Sequence, residues 1–465
     1  MTGERRALRF WDLALYAAAM GFSIRWIASA AAAGPASLPL WLLAMAGFMV
    51  PLVIATAELV GRSPGESGLY GWTRQTLGPF AGFLAGWLYW TCNLPFFSGL
   101  LYFILNALAA AAGPSATQAL SDPWLFAALA SALAVLVGAA HLLGLGAGKW
   151  LTNLGSVAGL LLLAAIVTIG VVLALRHGPA TDFAHADYAF PFNADGAALW
   201  ATMVFAFGGP EALAFLSDDV RGGVRQILRV LAVVGVLVVF AYMAGTLAML
   251  AILRPDDASR LSGIPDALAL AFSRLHLSPL APAALILLGG TMLGSYSAWF
   301  GVAARLPFVI GVDHYFPAAF ARRSPKTGAP TIAIIFQVIA VVALVFLGQA
   351  GASVKAAYDF LVSMSVISYT LPFVLLFLAY LRVRGEAAEG VWVAPGGARG
   401  RRIIALVGLA VTVSAIACTL VPSPDAADKL GAVVKLVVAS AVLIVMGVVI
   451  YLRAARRLAA QGNSR

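Results

Sequence analysis

Charged residues divide this chain into long apolar stretches, and their spacing is the feature that most constrains its fold. A helix needs about 20 apolar residues to cross the hydrocarbon core of a bilayer. Ten stretches of at least 17 residues contain no Asp, Glu, Lys or Arg: 38–57, 75–121, 123–148, 150–175, 230–253, 275–304, 327–354, 360–381, 403–424 and 436–452. We therefore predict a membrane-spanning helix in each.

Two further segments, 10–32 and 197–216, can span only if an internal charge is tolerated. These charges are Arg25 and Glu211. The composition agrees with a membrane protein, since 62% of the residues are hydrophobic and only 11% are charged. A soluble domain carries about a quarter of its residues as charges. We predict an all-α integral membrane protein with 12 transmembrane helices, numbered spans 1 to 12 in chain order.

The net charge of +10 is distributed unevenly between the two sides of this topology. With the N-terminus inside, the inner segments carry 22 Lys and Arg, the outer segments carry seven, and Arg25 lies within a helix. Cytoplasmic loops of membrane proteins show this excess of basic residues. We expect a multi-pass protein of the cell membrane with both termini in the cytoplasm. The basic residues thus indicate orientation in the lipid bilayer, and we expect no nucleic acid partner.

Spans 1 and 6 are interrupted at the same depth. Gly21, Phe22 and Ser23 begin eleven residues into span 1, and Gly208 and Gly209 begin eleven residues into span 6. Helices broken inside a bilayer leave backbone groups that are costly unless they line a polar cavity or bind a ligand. Paired broken helices therefore indicate the central site of a transporter. Close helix packing is the alternative explanation, because glycine and proline serve it in membrane helices.

Further short motifs follow one another along most of the chain. They are Gly21-Phe22-Ser23-Ile24, Ala57-Glu58-Leu59, Ser63-Pro64-Gly65-Glu66-Ser67-Gly68-Leu69-Tyr70, Gly82-Phe83 with Gly86-Trp87, Phe205-Ala206-Phe207-Gly208-Gly209-Pro210-Glu211, Arg305, Asp313-His314-Tyr315-Phe316-Pro317 with Gly328-Ala329-Pro330, and Val391-Trp392-Val393-Ala394-Pro395-Gly396-Gly397. Each motif is weak alone. The ordered set resembles the amino acid–polyamine–organocation (APC) superfamily of transporters.

The resemblance implies a five-plus-five inverted repeat with broken spans 1 and 6, followed by two extra C-terminal helices. Spans 1–5 would form the first repeat, residues 1–176, and spans 6–10 the second, residues 177–384. Residues 385–465 would contain a cytoplasmic linker and spans 11 and 12.

The resemblance also implies a substrate site between the interrupted parts of spans 1 and 6. In such transporters the span 1 amides hold the substrate carboxylate and the span 6 carbonyls hold its amino group. Carried over by position, the candidate residues are Gly21, Phe22, Ser23 and Ile24 on the carboxylate side, and Phe205, Ala206, Phe207 and Gly208 on the amine side. Phe205 takes the position of an aromatic lid. Trp299 takes that of a cavity-lining aromatic, with ordinary packing as the alternative.

Arg25 and Glu211 depart from an ordinary membrane helix, because a charge near the bilayer centre is costly unless it is paired or hydrated. Arg25 could bind an acidic substrate group, replace a coupling ion, or form a structural ion pair with Glu211. Glu211 is the better candidate for a proton step, since arginine does not release its proton. We predict coupling or gating roles for Arg25, Glu211 and Phe205. Phe22 would narrow the cavity and disfavour very bulky substrates.

These patterns predict a secondary transporter of amino acids or related amines that works by alternating access, either proton-coupled or exchanging. An integral membrane enzyme or a channel is the alternative. An enzyme should show convergent His, Asp or Glu on several helices, and the five histidines have no ligand spacing. We expect a small-molecule substrate, no catalytic residue, no bound metal and no cofactor.

Overall fold

The computed structural model describes residues 10, 14, 21–63, 68–143, 146–191, 193–209, 211, 223–304, 306–307, 315–385, 391–422 and 428–462. Regular structure within them is helical throughout. The α-helices are α1 Arg25–Ala32, α2 Ser37–Ala44, α3 Val50–Arg62, α4 Leu69–Leu77, α5 Pro79–Thr91, α6 Asn93–Ala112, α7 Pro114–Ala119, α8 Pro123–Leu143, α9 Gly146–His177, α10 Ala194–Ala206, α11 Gly223–Ile252, α12 Gly263–Arg274, α13 Ala281–Ala303, α14 Thr331–Gln349, α15 Val354–Leu381, α16 Gly397–Thr419 and α17 Lys429–Gly462. A π-helical turn, Met45–Met49, joins α2 to α3, and short 3-10 turns occur at Pro255–Asp257, Ser278–Leu280 and Ala318–Ala321.

Ten helical segments in the described residues are long and apolar enough to cross a membrane. They coincide with the ten spans predicted from charge-free stretches, so the prediction of a multi-pass helical protein is confirmed. They are Ser37–Arg62, Pro79–Ala112, Pro123–Leu143, Val157–His177, Arg225–Ile252, Ser278–Ala303, Thr331–Gln349, Val354–Leu381, Gly397–Thr419 and Lys429–Ala460.

The segments predicted as spans 1 and 6 contain shorter helices. The described helix of span 1 is α1, with eight residues, and that of span 6 is α10, with 13. At about 1.5 Å of rise per residue, neither reaches across a hydrocarbon core of about 30 Å. Residues 212–222 and the two chain termini, whose cytoplasmic location we predicted, lie outside the described residues.

Small residues let the long helices approach closely. On α9, a side chain at Gly155 would meet Gly294 of α13 at 3.1 Å, and one at Gly159 would meet Thr291 at 2.9 Å. Further along α9, Gly170 lies equally close to Ala248 of α11. Because lipid supplies no hydrophobic force between membrane helices, such backbone contact is a main source of their association. It holds α9 against both α11 and α13.

The exposed surface of the helices is apolar, whereas several charges lie inside. Large aliphatic and aromatic side chains such as Leu136, Val236 and Phe240 are more than half exposed. Arg25 and Glu58, by contrast, are almost completely buried. A soluble protein shows the reverse arrangement. The distribution suits a surface that contacts lipid and an interior that accommodates polar groups.

Glu58 joins α3 to the segment before α16. Its Oε1 accepts hydrogen bonds from Arg62 at 2.8 Å and Arg401 at 3.0 Å. Its Oε2 accepts from the Tyr380 hydroxyl at 2.7 Å and from the Ala394 backbone N–H at 3.0 Å. Four donors satisfy this buried carboxylate, which makes it a structural link between three separate parts of the chain.

Candidate functional site

The backbone of span 1 leaves helical geometry beside the predicted motif. Gly21 is helical, Phe22 and Ser23 are not, and α1 begins at Arg25 after a turn at Ile24. The N–H of Trp26 bonds to the Ser23 carbonyl at 3.2 Å, which forms a tight first turn. The positive end of the α1 dipole therefore lies at Ser23 and Ile24.

The helix of span 6 ends beside the matching motif. After the last helical residue, Ala206, comes a turn at Phe207 and then the two glycines. Gly209 has a φ of 116°, a conformation that residues other than glycine rarely adopt. Its N–H donates to Oε2 of Glu211 at 2.9 Å. The predicted Pro210 lies outside the described residues.

The Tyr242 hydroxyl of α11 bridges the two interruptions. It accepts a hydrogen bond from the Ser23 N–H at 3.2 Å. It donates to the Ala206 carbonyl at 3.2 Å, with the Gly21 carbonyl as a second acceptor at 3.4 Å. The Tyr242 ring stacks on Trp41, with centroids 4.3 Å apart and planes 3° from parallel. One side chain thus satisfies backbone groups that both helix interruptions leave open.

A cavity of about 50 Å³ lies between these interruptions. One water needs about 10–15 Å³ by this measure, so the cavity has room for a few waters or a small ligand group. Seven of the ten predicted binding residues line it: Gly21, Phe22, Ser23, Phe205, Ala206, Gly208 and Trp299. Its other lining residues are Trp26, Cys92, Asn93, Phe96, Tyr242, Ser295 and Tyr369.

The remaining three predicted binding residues, Ile24, Arg25 and Phe207, are buried beside the cavity rather than at its surface. The Phe207 ring packs edge-on against Trp41 and Tyr242, with centroids 5.4 and 5.7 Å away. Its side chain therefore packs against Tyr242 without lining the cavity.

Aromatic rings form the cavity walls. Phe205, the predicted lid, packs edge-on against Trp26 at 5.4 Å and Tyr369 at 5.1 Å between ring centroids. Trp299 packs against Phe96 at 6.2 Å. Edge-to-face pairs of this kind are favourable and keep their geometry. Phe205 and Trp299 both lie at the cavity surface. From the sequence, ordinary packing was an alternative role for Trp299.

Glu211 is buried, with 3% of its surface exposed, beside two tyrosines. Its Oε1 accepts hydrogen bonds from Tyr369 at 2.6 Å and Tyr89 at 2.9 Å. Together with the Gly209 N–H, three donors from spans 3, 6 and 10 meet at this carboxylate. A carboxylate in such surroundings is held by charge-assisted hydrogen bonds rather than by a cation. Protonation or loss of the charge would weaken all three links.

The structural ion pair between Arg25 and Glu211, one of three explanations for Arg25, is absent from this structure. None of the ion pairs between described residues includes Arg25. Its guanidinium carbon instead lies over the Trp26 ring at 3.9 Å and the Phe96 ring at 4.7 Å from the centroids. Pairing was predicted because the two interrupted segments were expected to face each other, but α1 directs this side chain toward spans 3 and 10.

A smaller polar cavity of about 20 Å³ lies toward the N-terminal ends of α10 and α15. Arg260 lines it and is 3.1 Å from Asp195 and 3.7 Å from Asp359. Tyr358 lines it as well. Asp195 lies at the start of α10 and Asp359 in the second turn of α15, so Arg260 links the two helices near their N-terminal ends.

The sequence patterns did not indicate the tyrosines and the asparagine of the site. Tyr89, Asn93, Tyr242 and Tyr369 all lie in charge-free apolar stretches, where they resembled ordinary membrane residues. A hydroxyl or amide that deep in a bilayer needs a partner, which is a usable signal. In the described part of the chain, no group of three His, Cys, Asp or Glu side chains could hold a metal ion.

The family model described as amino acid permease matches residues 8–452. An uncharacterized transporter of Legionella pneumophila is 25% identical over 91% of this chain and 91% of its own length. A probable agmatine/putrescine antiporter of Lactococcus lactis is 22% identical over 77% of this chain and 75% of its own length.

The fold is similar to that of a solved transporter. The crystal structure of the Eremococcus coleocola manganese transporter, in complex with an aromatic bis-isothiourea substituted compound, superposes with a TM-score of 0.53. The likeness covers 97% of this chain and 99% of the other at 13% sequence identity. At that identity the similarity concerns the arrangement of helices and not the transported substrate.

Proposed function

We propose that this chain, which belongs to the amino acid permease family, is a secondary transporter that moves amino acids or related amines by alternating access. The observation that carries the proposal is the cavity enclosed by the interruption in span 1, the end of α10 and Tyr242. Exposed backbone ends inside a bilayer are tolerated where they bind something polar.

The two helix ends supply complementary partial charges for a zwitterion. The N-terminal end of α1 is positive and suits a carboxylate, whereas the C-terminal end of α10 presents carbonyls that suit an ammonium group. Gly21, Ser23 and Ala206 would contribute backbone groups once the Tyr242 hydroxyl, which occupies them in this structure, is displaced. Phe205 and Trp299 would enclose the rest of the substrate. The 50 Å³ cavity favours a small substrate unless the walls move apart.

We assign gating to Phe205 and Glu211. Phe205 contacts both Trp26 and Tyr369, so its movement would open the cavity between spans 1 and 10. Glu211 holds Tyr89 and Tyr369 together through one oxygen atom. Proton binding at this carboxylate would release the tyrosines, which provides a route from a proton gradient to movement.

The proposal includes a topology of 12 spans with broken spans 1 and 6 and an inverted repeat of residues 1–176 and 177–384. It also places the chain in the cell membrane with both termini cytoplasmic, from the asymmetry of 22 inner and seven outer basic residues. The antiporter relative supports an amine-bearing substrate and makes exchange the first transport mode to test.

The experiment is uptake into proteoliposomes that contain the purified protein. Radiolabelled amino acids and diamines are offered with and without a pH gradient, and with unlabelled substrate inside. We expect saturable uptake that internal substrate accelerates, as a carrier requires. Absence of uptake for every compound, or a non-saturating conductance that internal substrate leaves unchanged, would refute the proposal and favour a channel.

A further inference from the structure

Arg25 is a buried cation that has no anionic partner among the described residues. Its side chain is 1% exposed. Its Nε and Nη1 are buried and form no hydrogen bond to any part of the chain that the structure describes. An isolated charge in a low-dielectric interior is strongly unfavourable, and aromatic faces compensate only part of that penalty. The described residues therefore leave two donor atoms of this guanidinium without an acceptor.

Among the described residues, no carboxylate forms an ion pair with the guanidinium. The nearest groups are the Trp26 and Phe96 rings, Gly99 of α6, whose added methyl would lie 4.0 Å from Nη1, and the hydroxyls of Tyr358 and Tyr242. None carries a carboxylate. Asp359, the next residue on α15, is already engaged by Arg260 at 3.7 Å.

The guanidinium is separated from the central cavity by a single aromatic layer. Trp26 and Phe96, the two rings that cover it, both line that cavity. Phe96 is only partly buried, so part of its ring surface is open to the cavity. Glu211 does not line the cavity but bonds to Tyr369, which does, and its carboxylate also accepts hydrogen bonds from Tyr89 and Gly209. Arg25 and Glu211 thus each lie behind aromatic side chains of the same cavity.

We propose that Arg25 makes this cavity selective for amino acids whose side chain carries a negative charge. The inference rests on the proposed function and adds the substrate class. The substrate amino group would face the carbonyl end of α10, and the substrate side-chain carboxylate would lie at the edge of the Phe96 ring, where the ring is positively polarised. Transport of a cationic amine would place a second positive charge beside an unpaired one.

The expected size of the effect follows from Coulomb's law. The guanidinium carbon lies 4.7 Å from the Phe96 ring centroid, so a carboxylate at the edge of that ring would lie about 8 Å from it. At an effective dielectric constant of about 20, this attraction multiplies the binding constant by roughly 30. Contact between the two groups is not required, and rotation of the Phe96 ring would increase the factor.

The test compares glutamate with glutamine, which have nearly the same shape and differ in side-chain charge. Purified protein in proteoliposomes takes up each labelled compound under identical gradients. Wild type should favour glutamate by roughly 10-fold or more. Arg25→Met should bring the ratio of glutamate uptake to glutamine uptake near one. Arg25→Lys, the matched control that keeps the charge, should preserve the preference.

Three results would overturn the inference and leave the proposed function standing. Wild type could prefer glutamine or a diamine, or Arg25→Met could keep the wild-type ratio of glutamate to glutamine uptake. Wild type could also take up glutamate and glutamine equally and require chloride strictly. The last would assign Arg25 to a resident anion. If Arg25→Met does not fold, competition of unlabelled glutamate against glutamine on wild type decides the question. Failure of wild type to take up any compound would instead refute the proposed function.

Discussion

Removing the Tyr242 hydroxyl should weaken the link between spans 1 and 6 without disturbing the aromatic packing. Tyr242→Phe deletes one oxygen that contacts the Ser23 N–H, the Ala206 carbonyl and the Gly21 carbonyl at 3.2–3.4 Å. The phenyl ring keeps its stacking on Trp41 at 4.3 Å. The change therefore isolates the hydrogen bonds.

The expected magnitude comes from the groups left without partners. A buried polar group that loses its hydrogen bond costs about 1–3 kcal/mol, and the Ser23 N–H is only partly buried. We expect the conformations in which the hydroxyl bridges both interruptions to lose about 1–2 kcal/mol of stability, and other conformations to be unaffected. That energy corresponds to a factor of roughly 5–30 in an equilibrium between conformations.

The assay measures KM and maximal rate of uptake together with the apparent melting temperature. Tyr242→Phe should change KM or the maximal rate by roughly 5- to 30-fold. Tyr102→Phe is the matched control, because the Tyr102 hydroxyl donates to Gln349 at 2.9 Å far from the cavity lining. It should lower the melting temperature similarly and leave uptake per folded molecule unchanged. Identical kinetics in wild type and Tyr242→Phe would refute a bridging role.

Three further substitutions test the surrounding contacts. Glu211→Gln should remove the pH dependence of uptake and slow it, because the amide keeps the shape but not the charge that Tyr89 and Tyr369 contact; pH profiles of uptake measure this. Gly208→Ala should abolish uptake, since its methyl would overlap the Tyr369 ring, while Gly290→Ala, with open space around it, should transport normally in the same assay. Glu58→Gln should destabilise the fold by about 2–4 kcal/mol through loss of charge-assisted bonds, measured as thermal unfolding in detergent; a stability equal to wild type would contradict the structural role.

Counting charges predicted most of the fold because the bilayer imposes a simple rule. A charge-free stretch of adequate length has few alternatives to a spanning helix. All ten such stretches contain long apolar helices. The interruptions were predictable for a related reason, since glycine next to a charge within an apolar segment violates the same rule. The described helices α1 and α10 begin or end beside those motifs.

The partners of polar side chains were not predictable from spacing alone. Which way a side chain points depends on the rotation of its helix relative to neighbours that are distant in sequence. Arg25 and Glu211 were therefore plausible partners, yet Glu211 bonds to Tyr89 and Tyr369, which come from spans 3 and 10. Tyr242 joins residues about 220 and 36 positions away. No local pattern contains that information.

Chemical modification of a native cysteine can show directly whether the substrate binds between spans 1 and 6. Cys92 lines the central cavity, and the other cysteine, Cys418, lies in the smaller polar cavity. With Cys418→Ser in proteoliposomes, a water-soluble methanethiosulfonate reagent should modify Cys92 during transport and inhibit uptake. Cys92→Ser should resist inhibition. We expect a transported substrate at saturating concentration to slow this modification in proportion to the occupancy of the site. Modification at the same rate with and without a transported substrate would contradict a substrate site between spans 1 and 6.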